Sequence, residues 1–211
     1  MNAVISYFQE HGTEYLQLLR QHMEISFVTV LIAMVIAIPL GMLSAKFRYF
    51  RIGAESGFGL LRIVPSLAIL IICIPFLGTG REPAIVALTI LAVPPILINT
   101  AQAFLSVPQD IVEAATGMGM SNVSVFRKVK IPLAFPLIFA GVRTATIEVI
   151  ASATLASYIG AGGLGDIIFT GLGLLRMDLL YIGGISVAIL SLGTGFLMDL
   201  FYRYQTSYQR V

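Results

Sequence analysis

The sequence predicts an all-α integral membrane protein with five transmembrane helices, and three observations carry that expectation. Hydrophobic residues fill 57% of the 211 positions and charged residues 11%, with a mean hydropathy of +0.92, a balance foreign to a soluble globular domain. Five apolar stretches approach the roughly 20 residues that a helix needs to cross a hydrocarbon core about 30 Å thick. One long polar segment, 106–134, separates two very apolar halves.

Residues 1–23 place Val4, Phe8, Tyr15, Leu18 and Leu19 on an approximate helical stripe among charges, interrupted at His11 and Gly12. Such a stripe suits a helix lying in the membrane interface. Residues 25–45 form the first span, where Pro39 and Gly41 are tolerable because neighbouring helices take up freed backbone groups. Glu10, Glu14, Arg20 and Glu24 precede this span, which reads as a retained anchor and not as a cleaved signal peptide. A short basic loop, 46–51, leads to the second span, 57–77, whose Arg62 snorkels to the head groups. Gly78, Gly80 and Pro83 mark a tight turn before the third span, 84–104, which Pro94 and Pro95 should break. The fourth span, 135–158, and the fifth, 179–202, follow the polar segment. The organisation is thus an interfacial segment, 1–23, a transmembrane domain, 24–204, and a tail, 205–211.

The polar segment has the marks of a helix-turn-helix loop. Ser106 and Gln109 make a capping signature around Pro108, so a short helix should run over about 107–116. Gly117 and Gly119 stop it, and Ser121 or Asn122 caps a second short helix carrying Val123, Phe126 and Val129. Arg127, Lys128 and Lys130 lie close behind. The apolar residues Ile111, Ala114, Ala115 and Met118 have no membrane to enter and need a protein groove.

The fourth span is the polar one. Thr144, Glu148 and Ser152 recur every four residues and therefore share a helical face. Ionisable groups at membrane depth usually face a protein interior or a wet cavity, which makes this face a candidate lining of a pathway. The alternative is structural, since Thr and Ser in membrane helices often bond to backbone or to adjacent helices. After it, Gly160, Gly162, Gly163 and Gly165 satisfy Gly-x-Gly-x-x-Gly, yet no strand precedes them, so they predict a non-helical turn and not a dinucleotide site. A short apolar piece, 166–175, follows.

Charge and chemistry narrow the function. The single cysteine, Cys73, excludes disulfide scaffolds and cysteine-rich metal sites, and His11 and His22 both fall in the polar leader. A net charge of +2 is too small to suggest nucleic acid. Eight positive residues (Lys46, Arg48, Arg51, Arg127, Lys128, Lys130, Arg203 and Arg210) fall on one side of a five-span chain, against Arg20, Arg81 and Arg176 on the other. The positive-inside rule then puts the polar loop and the C-terminus in the cytoplasm and the N-terminus outside.

Glu113-Ala-Ala-Thr-Gly-Met-Gly119, followed by Ile131 and Pro132, resembles the cytoplasmic signature loop of the membrane subunits of binding-protein-dependent ABC importers. The likeness continues through Leu-Arg-Ile-Val-Pro-Ser-Leu-Ala at 61–68, Pro-Ala-Ile-Val-Ala-Leu at 83–88, Pro-Ile-Leu-Ile-Asn-Thr at 95–100, Gly-Val-Arg-Thr-Ala-Thr at 141–146, Ala-Thr-Leu-Ala at 153–156 and the glycine turn to Asp166. These stretches are similar to permeases for glycine betaine, carnitine, choline and proline betaine. Methionine importers share the loop and the glycine turn and stand as the alternative. Glu148 departs from the pattern.

The resemblance implies the transmembrane domain of a type I ABC importer in the cell membrane, with Glu113, Ala114, Ala115, Gly119, Ile131 and Pro132 coupling it to an ATPase dimer. It also implies an extracytoplasmic binding protein and a second permease copy, identical or related, within the lipid bilayer. The chain has no Gly-x-x-x-x-Gly-Lys-Ser/Thr, so ATP and Mg belong to the partner and no cofactor or catalytic site is expected here. Two other classes compete. A secondary transporter or small channel would explain the polar fourth span but commonly shows a duplicated half, which the sequence lacks. A membrane enzyme would need an intramembrane base or metal ligands.

Overall fold

The computed structural model describes residues 2–61 and 63–205, and every regular element among them is helical. Arg62, Arg210 and the tail beyond 205 lie outside the described residues. Helix α1 (Asn2–Lys46) runs 45 residues, roughly 65 Å at about 1.5 Å per residue, so it is twice as long as a bilayer core requires. It bends at His11, where φ and ψ are −120° and 18°. The leader is therefore an extension of the first span, and its apolar stripe meets protein: Val4, Tyr7, Tyr15, Leu18 and Leu19 pack with Leu164, Ile167, Leu179 and Ile182.

Helices α2 (Arg48–Leu61) and α3 (Ser66–Leu77) replace the basic loop and single second span expected from sequence, and they lie at 96° to each other. Pro65 caps α3 and pushes the residue before it towards extended backbone, which explains the bend. Helix α4 (Arg81–Leu105) is continuous in spite of Pro94 and Pro95, which are fully buried within it. The expected break does not occur because α4 is clamped on both sides. A Cβ on Gly41 of α1 would fall 2.6 Å from Thr100 Cβ, and one on Gly141 would fall 2.6 Å from Asn99 Cβ. Only glycine permits approaches this close. The most apolar window of α4 is 67% buried, against 28–39% in the other long helices, so α4 is the central one.

Beyond α4 come α5 (Gln109–Gly117), α6 (Asn122–Val125), a π-helical turn (Phe126–Lys130) and α7 (Ile131–Ala156). The expected second short helix is not separate, since α6, the π turn and α7 run on as one rod. A 3₁₀ turn (Ser157–Ile159) ends it, and α8 (Gly165–Gly173) and α9 (Met177–Gln205) complete the chain.

Four of these runs are long and apolar enough to cross a membrane by themselves. The bent pair is the fifth crossing, as its two ends show. Lys46 lies with Lys130 at the loop end of the bundle, whereas Arg81 bonds Glu24 of α1 at 3.1 Å at the other end. The chain must pass between these ends through α2 and α3.

Candidate functional site

Loop residues first. Helix α5 starts two residues later than its capping signature suggests, because Pro108 sits at the N-cap with an extended ψ of 128° and no side chain caps it. Ser106 instead closes α4, its hydroxyl donating to Ala103 O at 3.0 Å. The C-terminal end of α5 is built as the glycines indicate. Gly119 adopts φ +81°, Gly119 N–H donates to Thr116 O at 2.9 Å and Met120 N–H to Ala115 O at 3.2 Å, which is the Schellman closure of a helix. Ser121 then caps α6 by accepting from Ser124 N–H at 3.3 Å.

This turn exposes Ile111, Glu113, Ala114 and Met118, the last at 77%. Ala115 points inward and is only 3% exposed, so it holds the plug and does not offer itself to a partner. Val107, Ala103 and Ala134 are buried together, with Phe104, Val112 and Ile138 packed against them. The rings of Phe104 and Phe126 stack at 5.9 Å with an interplanar angle of 9°. Val112 of α5 is thus packed onto residues of α4 and α7. Ile131 and Pro132 open α7 directly behind the π-helical turn, where Pro132, lacking an N–H, leaves a carbonyl of that turn without an in-helix donor.

Thr144, Glu148 and Ser152 lie on the open side of α7. Leu133, Leu137, Ala140, Glu148 and Ala151 are exposed at spacings of three, four and eight, with Thr144 and Ser152 half-buried on the same strip. The strip is solvent-exposed to half-buried along its length and carries a carboxylate in its middle. Lipid is a poor neighbour for such a face.

The glycine turn sits at the opposite end. Gly160 closes α7 at φ +79°, and Gly163 lies over His22, whose Nδ1 would stand 3.1 Å from a Cβ placed there. Gly165 begins α8 against Thr154 and Ser157. Burial pushes the Asp166 carboxyl up from its ordinary value, and the Ser157 hydroxyl partly offsets this. Gly162 and Gly163 thus seat the leader helix through Gln21 and His22, Gly165 packs α8 on the end of α7, and Gly160 serves the turn by its positive φ.

Two features escaped sequence reasoning. His22 is not in a polar leader but fully buried, with Nε2 3.0 Å from Ile150 O. Arg143 of α7 meets Asp199 of α9, its Nη2 donating to Oδ2 at 2.8 Å. The one arginine of the fourth span and the one charge of the fifth were the available signal for that pair. Among the described residues, no three His, Cys, Asp or Glu side chains converge to hold a metal ion.

A bundle with five crossings, a capped plug on the loop between the third and fourth, and a polar strip on the helix after it defines the membrane domain of a transporter. The chain belongs to the family of binding-protein-dependent transport system inner membrane components, whose pattern it matches over residues 37–210. It is 48% identical over 195 residues to the carnitine transport permease protein OpuCB of Listeria monocytogenes, covering 91% of this chain and 88% of that one. It is 42% identical over 193 residues to the glycine betaine/carnitine/choline transport system permease protein OpuCB of Bacillus subtilis (strain 168), with the same coverage. In three dimensions it resembles a chain of the inward-facing MetNI methionine ABC transporter, with a TM-score of 0.79 at 24% identity, covering 90% of this chain and 95% of that one. The last likeness concerns the fold alone. The chain is accordingly a multi-pass inner-membrane protein.

Proposed function

We propose that this chain is the permease subunit of an ATP-driven importer of quaternary ammonium osmoprotectants such as glycine betaine, carnitine and choline. The observation that carries the reading is the identity of 48% and 42%, over nine-tenths of the chain, to permeases whose names state those solutes. In this reading Glu113, Ala114, Gly119 and Met118 dock in a groove of an ATPase subunit, two of which bind ATP and Mg. Thr144, Glu148 and Ser152 line the pathway, and the open strip of α7 faces a second permease copy across it. A separate binding protein delivers the solute on the outer side, where the N-terminus lies. The chain itself hydrolyses nothing.

Proteoliposomes containing the permease with its ATPase and binding protein test the assignment. ATP-dependent uptake of labelled glycine betaine, competed by carnitine and lost in Glu113→Lys with membrane insertion intact, is the expected result. Uptake of methionine and not of any quaternary ammonium solute would overturn it.

A further inference from the structure

We infer that a cleft between α7 and α9, edged by the Arg143–Asp199 pair, is a contact site for a zwitterionic quaternary ammonium solute in transit. The inference rests on the osmoprotectant reading and goes beyond it by naming the residues and the orientation of the solute. Arg143 Nε lies 2.7 Å from Asp199 Oδ1, and the two side chains are 35% and 45% exposed. The pair is thus not sealed in the bundle but borders a cleft of about 410 Å³. Phe139 and Tyr202 form another wall, their rings 5.5 Å apart and inclined by 22°. Leu137 and Thr144 complete it.

Those two residues also belong to the open strip of α7 that carries Glu148. The cleft therefore opens on the face assigned to the pathway. Its chemistry is two-sided. A guanidinium with a hydroxyl one residue away suits a carboxylate. A carboxylate beside aromatic faces suits a quaternary ammonium, which has no N–H to donate and is held by charge and by ring quadrupoles.

The pair also answers a physical difficulty. Opposite charges at membrane depth are tolerable only while each has a partner, and stranding one is the costly event. Arg143 and Asp199 neutralise each other, joined by the Nη2–Oδ2 hydrogen bond of 2.8 Å. A zwitterion brings one charge of each sign, so it inserts with its carboxylate on Arg143 and its ammonium on Asp199 and Tyr202, and no charge is left alone at either stage. Choline, which carries the ammonium without a carboxylate, would leave Arg143 short of its partner and should pass more slowly than glycine betaine or carnitine. Because the solute competes with an existing ion pair, binding here is weak, which suits passage and leaves capture to the binding protein.

The rival account is a plain tie between two helices. The complete transporter, reconstituted with its ATPase and binding protein, separates the two by initial uptake of labelled glycine betaine per assembled complex. Arg143→Gln should lower uptake about tenfold or more, the scale of one hydrogen bond to a charged group. Tyr202→Leu and Phe139→Leu leave the ion pair in place, so they report even if Arg143→Gln fails to assemble. Each should lower uptake about threefold, the scale of one cation-π contact. The double exchange Arg143→Asp with Asp199→Arg should assemble yet not restore uptake, because Tyr202 stays one turn from position 199, where the ammonium must sit. Wild-type uptake in both aromatic variants, or full rescue by the exchange, would overturn the site. A wild-type complex that carries no quaternary ammonium solute would instead sink the functional reading.

Discussion

At the scale of single residues, two backbone positions make opposite predictions. Gly119 turns the loop at φ +81°, and no atom of the chain lies within 4 Å of a Cβ built on it. The demand for glycine is thus conformational inside the chain, and any demand for bareness must come from the docked partner. Valine in a left-handed conformation costs about 1–2 kcal/mol or more, whereas asparagine tolerates it. Gly119→Val should lose co-purification with the ATPase while inserting normally, and Gly119→Asn should retain most of it. Equal loss in both would move the cause to crowding at the partner surface. Leu175 is the converse case, a non-glycine residue at φ 54° in the turn between α8 and α9 and 83% exposed. Its Arg176 N–H donates to Gly171 O at 2.9 Å, the same helix closure that Gly119 serves in α5. Leu175→Asn should therefore raise the stability of the detergent-purified protein by about 1 kcal/mol, read from thermal unfolding.

At the scale of elements, the same residue type behaves differently according to what surrounds it. Pro65 caps the start of α3, while Pro94 and Pro95 leave α4 unbroken because α1 and α7 hold it from both sides. The apolar runs, the polar loop and the glycine stops were legible, since each is a local pattern. The bend between α2 and α3 and the continuity of α4 were not, since packing decides them. Nor was the inward turn of Ala115, which depends on which side of a nine-residue helix meets α4 and α7. Glycine supplies a quantitative test of the packing argument. Gly141 and Gly193 both lie inside helices, so alanine at either should gain about 0.4–1 kcal/mol from the unfolded state alone. At Gly193 nothing lies within 4 Å of the new Cβ, and the gain should appear. At Gly141 the Cβ would stand 2.6 Å from Asn99 Cβ and 2.9 Å from Pro95 O, so overpacking of about 1–3 kcal/mol reverses the sign. Thermal unfolding of the two variants, side by side, checks both signs; destabilisation of equal size at both would remove the close α4–α7 approach as the cause.

At the scale of the whole molecule, the helices sort the charges to two ends. Lys46 and Lys130 line one cleft with the start of α5, and Tyr202, next to Arg203, stacks on Phe139 two turns into α7. At the other end Arg20 and Arg81 bond Glu24, at 2.7 and 3.1 Å, and Arg176 borders a cleft with Tyr7, His11 and Asp166. The charge split read from the sequence needed only the order of spans, so it was legible; the Arg143–Asp199 pair was not, because 56 residues separate its partners and only the fold brings them together. Five crossings between the two ends require the termini to lie on opposite sides of the bilayer. The positively charged end should face the cytoplasm, since lysine and arginine in short loops resist translocation. Single cysteines introduced by Thr13→Cys, Met118→Cys and Gln205→Cys in a Cys73→Ala background provide the measurement, because all three positions are exposed. In intact cells a membrane-impermeant thiol reagent should label position 13 and spare 118 and 205, and permeabilised cells should label all three. Labelling of 13 and 205 from the same side would break the five-crossing topology, and labelling of 118 from outside would separate the loop from any cytoplasmic ATPase.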